Sequence, residues 1–408
     1  MKQKKLMVLG ASSAQLPMIQ RAIDLGCYVI TVDNIPGNIG HRYAHASINC
    51  STVEREQVLQ HAKTHAIHGI VTFASDIATG TVAYVASQLG LPGGQTEVVD
   101  WMSNKAKFRS FQQHHALTHP GFLISQHWQV SEFVAAGLNT PVIFKPIDTS
   151  GSRGVVLVEQ FDAEACAKAF NYAQQFSRSG LVSIEEFATG VDISGDGFLK
   201  DGELALFITQ KYMSGFVPVG HSFPTNISAL DQLRIQAELQ ATCEKLGYRD
   251  GPIDFDVKIS ASEVVVIEMS ARLGGNGIPE LIHRASGVDL IALTIQFALA
   301  ENFSLPNTLA ITRACGSWVF GSDIAGVLEH VQATPAMYEQ VPNLFNFTFN
   351  YAPGDQVPYF EHSGNSLGYA LFDCPPPLDY QQVLAEIRQA MQLSIVPLSV
   401  TQEVNYAV

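Results

Sequence analysis

The first hundred positions alternate short apolar runs with segments whose apolar residues recur every three or four places. Runs at 5–9, 28–32, 46–48 and 69–73 have strand length, and the first two end at Gly10 and Asp33. Positions 16–25 carry helical spacing that stops at Gly26, and 79–89 do the same up to Gly90. Strands alternating with helices predict right-handed crossovers and a parallel sheet, with the loops at the carboxyl ends of its strands on one rim. The loops 10–15, 33–40 and 74–80 belong to that rim.

Beyond Pro92-Gly93-Gly94 the texture changes, and a helix is expected over 104–113. Shorter strands follow at 142–145 and 155–158 around a Gly/Ser loop, then at 182–186, 197–200 and 204–209, the last two joined by an Asp201-Gly202 turn. A second hairpin is expected from 254–259 and 263–269, followed by one helix over 279–299. After 305 the pattern reads as a smaller α+β region with a Pro-rich turn at 375–377. These shifts divide the chain into 1–103, 104–305 and 306–408.

Composition narrows the function classes. Of 408 residues, 24 are Lys or Arg and 38 Asp or Glu, a net charge of −14; 47% are hydrophobic and 15% charged. That is a globular composition, and its acid excess argues against a broad surface for nucleic acid or anionic lipid. The basic MKQKK start precedes only a short apolar run at 6–9, unlike a secretory leader, and no stretch reaches the roughly 18–20 apolar residues of a membrane span. Six cysteines lie far apart, without CxxC pairs, as expected of reduced, buried thiols in a cytoplasmic protein.

The richest chemistry lies in DFDVKISASEVVVIEMSARLGGNG, Asp254 to Gly277. In a hairpin alternate side chains share a face, so Asp254 and Asp256 would meet Glu268 and Ser270 on one surface. Carboxylates gathered there repel one another unless a cation joins them, and hard oxygen ligands suit Mg²⁺. The plain alternative is the solvated face of an edge hairpin, but 264–267 is too apolar for an edge, and Arg272 follows at once. A second segment, PVIFKPIDTSGSRGV, delivers Lys145 from a strand and then offers the amides of Ser150 to Gly154, a loop able to wrap phosphate oxygens. It is not a Walker A loop, since its lysine precedes the glycines. A third, SIEEFATGVDIS, places acids at a strand end, and SNKAKF places Lys105 at a helix start.

Taken in order along the chain, these segments resemble the ATP-grasp superfamily of carboxylate–amine ligases, which includes the carbamoyl-phosphate synthetase large subunit, biotin carboxylase and the L-amino-acid ligases. The resemblance covers about residues 5 to 300 and implies an α/β protein: an N-terminal parallel-sheet pre-ATP-grasp domain, an α+β ATP-grasp domain and a small C-terminal α+β region. It implies that Lys105 and Lys145 hold ATP phosphates under a loop containing Ser152, Arg153 and Gly154. Glu185, Glu186, Phe187 and Ala188 would line the adenine, and Asp192 would take the ribose. Asp254 and Glu268 would bind Mg²⁺, or Mn²⁺ in its place, with Asp256 as an alternative ligand. Arg272 would join Lys145 as a catalytic group, stabilising the transferring phosphoryl. Where the family often has Asn two residues after the metal Glu, this chain has Ser270, whose hydroxyl is a shorter candidate ligand.

The activity implied is ATP-dependent activation of a carboxylate as an acyl-phosphate, then attack by an amine. Small-molecule acids and amines would be the partners, with no nucleic acid or membrane, and a homodimer is an option. A purine-pathway carboxylating or formylating enzyme and a non-catalytic nucleotide-binding regulator are the alternatives. NAD binding is disfavoured because GxGxxG is absent after Gly10, and His61, His65 and His68 read as a solvated helix face rather than a zinc site.

Overall fold

The computed structural model describes residues 3–306 and 309–398. Strands β1 (Lys5–Leu9), β2 (Tyr28–Asp33), β3 (Ala46–Asn49) and β4 (Gly69–Thr72) form a parallel sheet in the order β3-β2-β1-β4. Alternation along β1 feeds two cores: Leu6 and Val8 pack into one, Met7 and Leu9 into the other. The rim is cross-linked by its own loops, for Ala11 N donates to Asp33 Oδ2 (2.9 Å) and Gln15 Nε2 to the Phe73 carbonyl (2.7 Å). The helix expected from 79 starts at Asp76, because a carboxylate in the first turn suits the helix dipole. The boundary region holds a further helix, Thr96–Ser103, too short to stand out in the pattern; its Val98, Val99 and Met102 pack with Phe108 and Phe111.

Strands β5 (Phe122–Ser125), β6 (Val142–Pro146), β7 (Val156–Val158) and β8 (Val182–Glu186) make a small antiparallel sheet, β5-β8-β6-β7, backed by helix Ala163–Gln175. The chain continues through β9 (Val191–Lys200), β10 (Glu203–Ser214), β11 (Val217–Phe223), β12 (Gly251–Ile259), β13 (Val264–Ser270), β14 (Cys315–Phe320), β15 (Gly326–His330), β16 (Leu344–Phe349), β17 (Gln356–Val357), β18 (Gly368–Asp373) and β19 (Ser394–Pro397). Eight of these form one antiparallel sheet, β13-β12-β9-β10-β11-β14-β18-β16, while β17-β15-β19 stand apart. Because β14 pairs with β11, the C-terminal strands extend the sheet that carries the Asp254–Glu268 hairpin.

Strands β9 and β10 run well past 197–200 and 204–209. Their outer halves carry Ser194, Asp196, Thr209 and Lys211, polar residues that resemble a loop in sequence but face one side of the sheet. The turn between them is Asp201-Gly202, both with left-handed φ (+57° and +90°), as a two-residue hairpin requires. The single helix expected over 279–299 is two, Ile278–Ser286 and Leu290–Ala298. Gly287 ends the first at φ +77°, and the Asp289 carboxylate caps the second by accepting from Ala292 N (2.8 Å). All six cysteines are buried and unpaired, and no helix among the described residues is long and apolar enough to cross a membrane.

Candidate active site

The small sheet and the β9–β13 half of the large sheet enclose a cleft of about 1060 Å³. Ile143 and Val155 face it from one side, Met213, Val257 and Ile267 from the other, and Phe187 and Ala188 from the connecting segment. Four lysines reach into this apolar frame, each already joined to a carboxylate. Lys145 Nζ lies 2.8 Å from Glu185, Lys105 Nζ 3.0 Å from Glu268, Lys211 Nζ 2.7 Å from Asp256 and Lys258 Nζ 2.9 Å from Asp192. Lys258 also stands 5.0 Å above the Phe187 ring.

Helix Lys105–His114 supplies the base of this network. Asn104 caps it by accepting from Lys107 N (3.0 Å), which leaves Lys105 at the first turn and puts Lys105, Arg109 and Gln112 on one inward face. Arg109 is fully buried and ties three elements together: Nε to Glu185 (3.0 Å), Nη2 to the Ile267 carbonyl (2.8 Å) and Nη1 to Gln112 (2.7 Å). Glu185, 2% exposed, also accepts from Ser183 Oγ (2.7 Å). Burial opposes its charge, but Arg109 and Lys145 hold its carboxyl down to about 2. Lys145 is 6% exposed, and burial, partly countered by Glu185, lowers its ammonium to about 8. Burial also opposes the charge on Lys105, yet Glu268 and Asp76 raise it above the usual lysine value.

Residues Gly151, Ser152 and Gly154 of the glycine loop all have left-handed φ (+71°, +66° and +73°). Ser152 Oγ donates to the Phe216 carbonyl (2.7 Å) in the β10–β11 turn, and the Gly151 carbonyl accepts from Ser363 N (3.1 Å) in the C-terminal region. Gly154 backs the loop, since a Cβ there would sit 2.8 Å from the Phe176 ring. Arg153 stays exposed at the cleft edge.

The hairpin forms in the expected register, with a bulge after Asp256: Asp254 opposes Ser270 and Asp256 opposes Glu268. The two pairs have different neighbours. Asp256 and Glu268 line the cleft, whereas Asp254 is bonded to Arg272 Nη1 and Ser270 Oγ donates to Asp76 (2.6 Å). Arg272, 9% exposed, sends Nε to the same Asp76 (2.8 Å), and Ala74 N donates to the Leu273 carbonyl (3.3 Å). The rim of the parallel sheet therefore closes over the end of the hairpin. On β9, Asp196 opposes Asp254 and accepts from Gly274 N (2.7 Å), where a Cβ on Gly274 would sit 2.8 Å from Asp254 Oδ1. The Oδ2 of Asp196 has no partner among the described residues; burial, and then the charge of Asp254, push Asp196 well above the usual carboxylate range.

The cleft thus gathers Lys105, Lys145, Ser152, Arg153, Glu185, Glu186, Phe187, Ala188, Asp192 and Glu268, with Gly154, Asp254, Ser270 and Arg272 just outside its lining. The carboxylates of Glu185 and Glu186 are engaged by protein, the latter by Asn139 N (2.9 Å) and Nδ2 (3.0 Å). Sequence reasoning passed over Lys211, Lys258, Arg109 and Asp76. The inward face of Lys105, Arg109 and Gln112 was readable from i, i+4, i+7 spacing; Asp76 had no local signal, because its partners lie almost two hundred residues away. His68 lies beyond the end of the helix at His65, so the three histidines do not share one helix face, and its Nδ1 accepts from Lys5 N (3.0 Å).

Residues 138–280 match the ATP-grasp domain family. The chain is 25% identical to an uncharacterized protein of Sinorhizobium fredii over 81% of its own length and 69% of that protein's. It is 22% identical to an L-arginine-specific L-amino acid ligase of Bacillus subtilis over 87% of both chains. Among solved structures, the L-amino acid ligase of Bacillus licheniformis superposes with a TM-score of 0.82 at 20% identity, covering 97% of this chain and all of the other, a likeness of fold.

Proposed function

We propose that this ATP-grasp protein is an ATP-dependent carbon–nitrogen ligase that converts a carboxylate into an acyl-phosphate and passes it to an amine, joining amino acids or close analogues. The observation that carries the reading is the cleft itself: a slot walled by apolar side chains, four buried or half-buried lysines, and two carboxylates facing each other across a hairpin. The proposed transfer rests on positioning and charge neutralisation and requires no protein nucleophile. Two of the similar proteins are named as L-amino acid ligases, which supports amine acceptors of that class.

In this reading the base lies between Ile143 and Val155 on one sheet and Met213, Val257 and Ile267 on the other, beside the Phe187–Ala188 backbone, with Asp192 toward the ribose. Lys105, Lys145 and Lys211 receive phosphate oxygens under the Ser152–Gly154 loop, and Arg272 faces the transferring phosphoryl. Among the described residues no three His, Cys, Asp or Glu converge on a metal. That suits Mg²⁺ arriving with nucleotide, because Mg²⁺ is usually held by one or two carboxylates plus phosphate oxygens. We take Asp256 and Glu268 as the pair, in place of the expected Asp254, Glu268 and Ser270, because both line the cleft beside Lys211 and Lys105, whereas Asp254 and Ser270 lie outside its lining, bonded to Arg272 and Asp76. When bound, the ion would neutralise phosphate charge as the acyl-phosphate forms.

The test combines turnover with metal binding. Purified protein given Mg-ATP and a panel of amino acids should release ADP and phosphate only when both an acid and an amine are present, with a condensed product by mass. Release indifferent to added acid would overturn the ligase reading. Mn²⁺ taken up in the presence of ADP, followed by its magnetic resonance spectrum, should be lost in Asp256→Asn and kept in Asp254→Asn; the reverse would restore Asp254 as the ligand.

A further inference from the structure

A second pocket of about 760 Å³ opens between the parallel sheet's rim and the helix beginning at Lys105, and it shares Thr149 and Glu268 with the nucleotide cleft. Glu268 thus separates two compartments, one shaped for nucleotide and one opening away from it. Four carboxylates line the second compartment, and each is already satisfied. Asp76 is held by Arg272, Glu268 by Lys105 and Asp100 by Arg55 (2.5 Å). Asp148 accepts from Ser177 Oγ, Arg178 N and Ser179 N at 2.9–3.2 Å. Two cations on the same lining, the Lys107 ammonium and the Arg178 guanidinium, form no ion pair among the described residues. On the lining itself three cations, Arg55, Lys107 and Arg178, stand among the four carboxylates, and Lys107 and Arg178 are exposed.

We infer that this pocket receives the acid to be activated and that Lys107 and Arg178 select an acid carrying a second negative group, such as a dicarboxylate or an acidic amino acid. The inference rests on the ligase reading and adds its substrate class. One carboxylate lies beside Glu268 and Arg272, where the γ-phosphate is presented. The other points to Lys107 and Arg178, two charges that pay no partner-exchange cost because neither is committed elsewhere. A neutral isostere of the same length leaves both cations without a counter-charge and binds less well.

Hydroxylamine replaces the unknown amine in the test. The acid's oxygen attacks the γ-phosphorus as the bond from that phosphorus to the β-bridging oxygen breaks, releasing ADP. The hydroxylamine nitrogen then bonds to the carbonyl carbon as phosphate departs and a proton passes to water, giving a hydroxamate that is read as its coloured complex with added ferric iron. With Mg-ATP, L-glutamate and succinate should give kcat/KM at least about tenfold above L-glutamine and butyrate. In the double variant K107A/R178A, KM for the diacid should rise at least about tenfold while ATP affinity stays within twofold. Calorimetric binding of L-glutamate in the presence of MgADP gives an independent readout. Binding that is lost in the double variant supports the pocket even if no hydroxamate forms, a result that would count against the ligase reading instead. Hydroxamate from neutral acids as readily as from diacids, or L-glutamate binding unchanged by the double substitution, would overturn the inference and leave the ligase reading standing.

Discussion

Replacing Glu185 with glutamine keeps the shape of the side chain and removes one negative charge from between two buried cations. The carboxyl stands at about 2 against an ordinary value of 4.5. That difference corresponds to about 3 kcal/mol, at ~1.4 kcal/mol per pH unit. Glu185→Gln should therefore lower Tm by roughly 3–4 °C at pH 7. Since the folded value lies below the unfolded one, this stabilisation is present above about pH 4.5 and fades as the pH falls toward 2, so the melting temperatures of the two proteins should converge there. A second effect falls on Lys145, whose ammonium titrates at about 8 while Glu185 supports it. Without that carboxylate, burial and Arg109 push it lower still, and the lysine is neutral at physiological pH. Calorimetric titration with ATP from pH 6 to 9 reads this directly. The wild-type affinity should weaken as the pH rises through about 8, and in Glu185→Gln the weakening should set in at least one pH unit earlier. Equal melting temperatures together with superimposable affinity profiles would refute the account of Glu185 as the counter-ion that keeps Lys145 charged.

Two further outcomes test groups outside the cleft lining. Asp76→Ala frees Arg272 from the parallel-sheet rim, so kcat should fall by about 10²-fold with ATP affinity nearly unchanged; a parallel loss of ATP binding would assign Asp76 to the fold rather than to the placement of Arg272. Ser363→Pro deletes the N–H that reaches the Gly151 carbonyl, and KM for ATP should rise roughly 5-fold with faster protease cleavage in the 150–154 loop; unchanged KM and cleavage would remove the C-terminal turn from any part in loop placement.

What could be read from the chain alone followed the range of the interactions involved. The parallel sheet and the acidic hairpin have local signatures, in helix–strand alternation and in acids spaced two apart on either side of a short turn. The choice between Asp254 and Asp256 is not local: it depends on the bulge that follows Asp256 and on which acid Arg272 occupies. Lys211 was hidden for a related reason, since its strand carries mixed polar and apolar residues and its partner Asp256 lies on a strand distant in sequence. The helix over 279–299 was merged across Gly287 because the apolar spacing continues on both sides of the break.

The eight-stranded sheet also bears on how this protein could be divided or recombined. Strand β11 is hydrogen-bonded to β14 along Gly220–Trp318, His221–Ser317, Ser222–Gly316 and Phe223–Cys315. A fragment ending near residue 305 would keep every group proposed to touch nucleotide but leave β11 as a raw edge, a template for pairing with other chains. The nucleotide-binding part is therefore no exchangeable cassette. Swapping substrate preference between relatives would have to graft side chains onto the second pocket and leave the sheet whole.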